Sequence, residues 1–158
     1  MQKIKTFLWF DNQAEEAAEL YTSLFKNSKI LSVDRYAEET PGQAGSVMTV
    51  TFQLDGQEFV ALNGGPVFKF TEAMSLFVNC DNQEEVDRLW DKLTENGGEE
   101  SQCGWLKDKF GVSWQIVPTE FMELMNSGNP AKAQSVVKAM LQMHKLDLAL
   151  LRQAYEQG

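Results

Sequence analysis

Few residues in this chain carry the usual equipment of catalysis, and each has a plain structural alternative. The single histidine, His144, has the chemistry of a general base or a pH switch. It falls in an apolar seam, however, and reads more simply as a packed or interfacial residue. Cys103 stands beside Gly104 and Trp105. A nucleophilic thiolate there needs a base, a cation or a helix N-terminus, and the sequence supplies only Lys107 and Lys109 nearby. Cys103 therefore reads as a structural thiol, and Cys80 as a more deeply buried one. Asn63-Gly64-Gly65-Pro66 is rich enough in glycine to suggest a phosphate cradle. No Gly-Lys-Ser/Thr follows it and Pro66 opens no obvious helix, so a connecting turn is the better reading. Aromatic residues are plentiful instead: Phe10, Phe52, Phe68, Phe70, Phe77, Trp105 and Phe110 besides those in helical patterns.

The bulk properties remove whole classes of function. A formal charge of −9 disfavours nucleic acid and anionic membranes, which are held by clustered Lys and Arg. No apolar run approaches membrane-spanning length, and residues 1–10 lack the order of a signal peptide. The expectation is a cytoplasmic protein with no nucleic-acid or membrane partner, its two cysteines reduced.

The elements that must position any site follow from periodicity and punctuation. Residues 4–10 read as a strand, with Asp11 or Asn12 as the N-cap of a helix reaching about Phe25. A strand at 29–36 and a loop from Glu38 to Ser46, with Pro41, Gly42 and Gly45, come next. Strands at about 47–54 and 58–63 are joined by the hairpin signal Asp55-Gly56. The second half offers a strand at 74–80 and a helix at about 82–96 stopped by Asn96-Gly97-Gly98. Shorter strands near 100–107 and 112–117 end at Pro118. A short helix at 119–127 precedes Asn129 and Pro130, a cap and first-turn pair. One long final helix is then expected, carrying Val137, Leu141, His144, Leu148, Leu151 and Tyr155 as an apolar seam.

The halves repeat. Asp-Asn-Gln occurs at 11–13 and again at 81–83, each time after an apolar strand and before an acidic amphipathic helix. With one residue of slack, Glu16, Leu20, Tyr21 and Leu24 fall on Glu85, Leu89, Trp90 and Leu93. Residues 56–62 echo residues 111–117 in the same way. Two copies of one module packed into a single domain are implied: 1–64 and 72–118, with a helical extension over 119–158.

Tandem βαβββ modules with these caps and glycine hairpins resemble the vicinal oxygen chelate superfamily, which includes glyoxalase I. Within it the chain is most similar to the PhnB-like, demethylubiquinone methyltransferase-like proteins. The resemblance lies in Ala14–Phe25, in Ala61 to Pro66, in the run from Cys103 to Pro118, and in the tail around Met140 to Asp147. It implies an α+β, glyoxalase/bleomycin-resistance-like fold with C-terminal helices. Metal-dependent members of that superfamily use one ligand from each of four strands. Counting back from Tyr21 and Asp81, and on from the hairpin glycines, gives Thr6, Val60, Ser75 and Gln115. A divalent ion prefers imidazole or carboxylate and this set offers neither, so no metal and no cofactor are expected. Methyl transfer, which the resemblance implies, meets a similar difficulty, since no strand–Gly-x-Gly–helix with an acidic ribose partner is present. Alternation places Thr6, Leu8 and Phe10 on one side of the first strand, Ser75, Phe77 and Asn79 on one side of the fifth, and Ser113, Gln115 and Val117 on one side of the last. If helices cover the other side, these rows line a cleft, with Trp105 at its rim. The expected function is binding of a small apolar or aromatic molecule without a metal. The alternative is an enzyme of the superfamily or a methyltransferase-like activity. A homodimer is expected from the resemblance and from the seam.

Overall fold

The computed structural model describes residues 2–41 and 43–158; Gly42, read above as part of a loop, lies outside the described residues. The chain forms two compact units, one ending at Lys69 and one beginning at Phe70. In the first, strand β1 (Thr6–Phe10) leads to helix α1 (Ala14–Leu24), then β2 (Lys29–Arg35), β3 (Val47–Leu54) and β4 (Gln57–Asn63). The sheet order is β1-β4-β3-β2, with β1 parallel to β4 and the other pairs antiparallel. Asp55 and Gly56 both take positive φ, 49° and 81°. Two residues in that region build the turn whose twist suits a hairpin, as the sequence signal implied.

One face of this sheet is the core of its unit. Leu8, Phe10, Val50, Phe52, Phe59 and Ala61 are buried, and so are Ala14, Ala17, Ala18, Tyr21 and Leu24 of α1. Three alanines let the helix approach the strands closely. Phe52 stacks on Phe59 with ring centroids 5.5 Å apart and meets Tyr21 at 6.2 Å. Neither Asp11 nor Asn12 caps α1. Gln13 holds the cap position without a side-chain bond, and the Ala14 N–H donates instead to Asn63 Oδ1 at 2.8 Å. A side chain from the end of β4 thus fixes the helix start, which local spacing could not reveal.

The second unit repeats the plan with β5 (Ser75–Cys80), α2 (Gln83–Thr94), β6 (Glu99–Glu100), β7 (Trp105–Lys107) and β8 (Ser113–Pro118) in the order β5-β8-β7-β6. Here the expected capping appears. Asn82 Oδ1 accepts from the Glu85 N–H at 2.9 Å, and Glu85 Oε1 reaches one residue past the cap to accept from the Asp81 N–H at 2.8 Å, a variant of the capping box. Val86, Leu89, Trp90 and Leu93 of α2 are buried, as are Cys80, Leu106, Trp114 and Ile116 of the strands it packs against.

The expected single terminal helix is two. After α3 (Thr119–Met125), α4 runs Pro130–Met140 and α5 runs Leu148–Gln157, with a non-helical stretch between them. Periodicity alone carried the pattern across this break, but the carbonyls there have other partners. Met143 O and His144 O accept from the Cys103 and Gly104 N–H groups at 2.8 and 2.9 Å. Asp147 then caps α5 by accepting from the Leu150 N–H. Gln83 clamps the stretch by donating to Leu146 O at 2.9 Å and accepting from the Leu148 N–H at 2.7 Å. Lys145 pairs with Asp87 at 2.9 Å. The seam is therefore not continuous. Leu148 and Leu151 are buried, with Val117, Val136, Leu146 and Leu151 forming a small core, while Leu141 is 53% exposed. His144 is exposed, its Nδ1 2.8 Å from Ser101 O, so the apolar-seam reading of that residue fails.

Candidate functional site

Each sheet has one face under its helix and one away from it, and register decides which residues the open face receives. The two modules are not offset uniformly. Phe10 and Cys80 each end their strand, are buried, and pair with the last residues of β4 and β8, Asn63 and Pro118. The strands therefore align with Asp11 on Asp81. The helices align one residue differently, because α1 starts three residues after Asp11 and α2 only two after Asp81. Carrying the helix alignment back into the strands matched Thr6 to Ser75. In the structure Leu76 is the match for Thr6 and Lys5 the match for Ser75.

A slip of one residue exchanges the faces of a strand, and this overturns the assignment in the first unit. Leu8 and Phe10 do not line an open face; both lie in the core against α1, and Phe10 is only 2% exposed. Thr6 shares their side by alternation. The open face carries Phe7, Trp9, Val60, Leu62, Thr49 and Thr51, and Phe7 is 58% exposed. Val60 stands where expected, but Thr6 lies on the opposite face from it. The first strand, Thr-Phe-Leu-Trp-Phe, is apolar on both sides, so composition gave no warning.

In the second unit the expected rows do share one side of the sheet, although Ser113 and Val117 within them are buried. Phe77 pairs with Gln115, and Gln115 with Trp105, in one row across β5, β8 and β7. Phe77 is 47% exposed and Gln115 and Trp105 are half-buried. Gln115 Nε2 donates to Ser75 Oγ at 3.0 Å. One step along the strands lies a polar row, Ser75, Ser113 and Lys107. Ser113 is buried and its Oγ has no hydrogen-bond partner among the described residues, a cost of about 1–3 kcal/mol for a buried hydroxyl. Lys107 pairs with Glu72, which holds the Glu72 carboxyl below and the Lys107 ammonium above its ordinary range. Asn79 is exposed beside Val117 at the far end, where the helical extension covers Val117.

The other motif residues hold the frame. Asp108, absent from the sequence reading as a site, is buried; its Oδ1 accepts from the Phe110 and Val112 N–H groups and its Oδ2 from Trp114 Nε1 at 2.9 Å. It explains why Asp, Gly and Trp share one short run. The glycine-rich stretch is also structural. A Cβ on Gly64 would meet the Trp9 ring at 2.4 Å, and Trp9 Nε1 donates to Gly65 O at 2.9 Å. Burial pushes the Cys80 thiol up to about 12, which leaves it protonated and inert.

The donor set does not fit a divalent ion. Thr6 faces the helix side, and the position that replaces it, Lys5, is a cation paired with Glu58 at 3.1 Å. Val60 has no donor atom, and Ser75 and Gln115 bond to each other. Among the described residues no group of three or more His, Cys, Asp or Glu could hold a metal.

The fold is thus of the mixed α+β, glyoxalase/bleomycin-resistance-like type, two four-stranded βαβββ sheets followed by helices. Residues 2–117 match the model of the 3-demethylubiquinone-9 3-methyltransferase family, and the chain belongs to that family. It is similar to a solved structure described as a putative 3-demethylubiquinone-9 3-methyltransferase, a PhnB protein, from Bacillus cereus. Identity is 45%, coverage 74% of this chain and 99% of that one, and TM-score 0.68. A Staphylococcus aureus protein is 37% identical over 75% of this chain and 97% of its own, with TM-score 0.34. A Pseudomonas aeruginosa protein at 21% identity, covering 72% and 95%, shares the fold with TM-score 0.58. No curated protein matches. The family match ends before α3, so all three terminal helices lie beyond it. Among the described residues no helix is long and apolar enough to cross a membrane.

Proposed function

We propose that the chain binds a small neutral apolar or aromatic molecule, without a metal, on the open face of the β5-β8-β7-β6 sheet. The observation that carries this reading is the row Phe77–Gln115–Trp105: two aromatic side chains flank one amide whose oxygen has no donor among the described residues. Aromatic faces supply burial and a single placed amide supplies orientation, the usual economy of small-molecule sites. Native mass spectrometry of freshly purified protein tests it, with a stoichiometric organic adduct expected that Gln115→Leu weakens. Adduct retention unchanged by that variant would refute the role given to Gln115. The family name favours a second reading, methyl transfer to an aromatic acceptor bound on the same face. Turnover with a methyl donor and a phenolic acceptor would decide for it. We further propose a cytoplasmic homodimer, the dimer on the strength of the superfamily resemblance. The terminal helices contribute less to that argument than expected, because their buried residues pack within their own unit.

A further inference from the structure

Resting on the reading just given, we infer that the ligand of the second sheet carries a neutral oxygen, a hydroxyl or a carbonyl, which is received by Ser113 and Ser75. The two serines are Cα partners on β8 and β5, one step along the strands from the aromatic row. Ser113 is 1% exposed and its Oγ is unpartnered. By strand alternation it shares its side of the sheet with the longer Gln115 and Lys107, and bulk water does not reach it. Ser75 already accepts from Gln115 Nε2, and no acceptor for its own proton is found among the described residues. The Gln115 oxygen is open as well. Two hydroxyl donors and one open amide oxygen thus stand together beside two aromatic side chains, a match for a ring bearing one hydroxyl or carbonyl group.

The oxygen is neutral because the local charge is already balanced. Lys107, the third member of the polar row, is paired with Glu72 and has Glu99 as its Cα partner on β6. An incoming carboxylate would meet two acids and a chain of net charge −9, and would have to displace one of them. Phenol at neutral pH meets neither obstacle. Buried polar groups held for a ligand discriminate by what they leave unpaired when the wrong ligand enters.

Titration of the full chain with phenol, toluene and benzoate, followed by protein NMR, tests the inference. Phenol is expected to bind about five- to tenfold more tightly than toluene, the worth of one net hydrogen bond, and benzoate more weakly than phenol. Ser113→Ala should bring phenol and toluene within about twofold of each other. Because the Ser113 hydroxyl is unpaired, that variant should melt no lower than the parent, and Ser75→Ala should reduce the phenol preference independently. Equal binding of phenol and toluene by the parent overturns the oxygen subsite while leaving the aromatic site standing. Benzoate binding more tightly than phenol overturns its neutrality, and a lower melting point for Ser113→Ala shows that the hydroxyl is structural. If neither toluene nor phenol perturbs Trp105 or Gln115, the binding reading fails and this inference with it.

Discussion

Phe7 and Phe10 stand three residues apart on the same short strand, both large and aromatic, and the structure assigns them opposite fates. Phe10 is 2% exposed among Leu8, Phe52, Phe59 and α1, whereas Phe7 is more than half exposed on the open face. Phe10→Ala should cost about 3–5 kcal/mol, the sum of lost transfer free energy and the cavity left behind. Phe7→Ala should change stability by no more than about 0.5 kcal/mol, as exposed substitutions usually do. The difference, about 3 kcal/mol or more, corresponds to roughly 6–12 °C in melting temperature for a chain of this size. Urea denaturation followed by circular dichroism gives both values in one experiment. Equal losses would refute the register, and a larger loss from Phe7→Ala would restore the face assignment that the helix alignment suggested.

Asp108→Ala leaves the Phe110 and Val112 N–H groups and the Trp114 indole without their carboxylate. It should cost about 3 kcal/mol or more, since hydrogen bonds to charged groups are worth about 1.5–3 kcal/mol each; a loss under about 1 kcal/mol in urea denaturation would show that the turn stands without it. Asp87 is held below the usual carboxylate range by its bond from Gln83 and by Lys145. A depressed folded pKa stabilises above the ordinary value of about 4 and is lost as pH falls through the folded value. Protection factors of the Leu148 and Cys103 amides should therefore fall below about pH 4 before those in β3 do, and simultaneous loss would contradict the clamp. Leu148→Asp should loosen the terminal helices, because burial of each such leucine contributes roughly 1.5–3 kcal/mol. Light scattering of the parent at micromolar concentration should give twice the chain mass, and a monomer mass would remove the dimer.

The fold was legible because the signals that carried it are local. Asp55-Gly56 forces its turn, Asn82 and Glu85 cap a helix through spacing, and the repeated Asp-Asn-Gln marks equivalent places in two modules. The second sheet's face was legible for the same reason, since Ser75, Phe77 and Asn79 alternate with apolar neighbours. Where both sides of a strand are apolar, as from Phe7 to Phe10, alternation is silent, and one loop residue of difference decided the wrong face. The break between α4 and α5 was hidden because its cause lies elsewhere: Gln83, Cys103 and Gly104 bind carbonyls and N–H groups that a continuous helix would have used internally. The cap of α1 was lost similarly, being supplied by Asn63 from a different strand.

A residue-resolved chemical-shift map of the full chain titrated with toluene tests most directly whether the open face of the second sheet is the ligand site. Saturable shifts centred on the Trp105 indole, Phe77 and the Gln115 side-chain amide are expected, with α2 and its buried face unmoved. Saturable shifts confined to other elements, or none at any of these three residues, would contradict it.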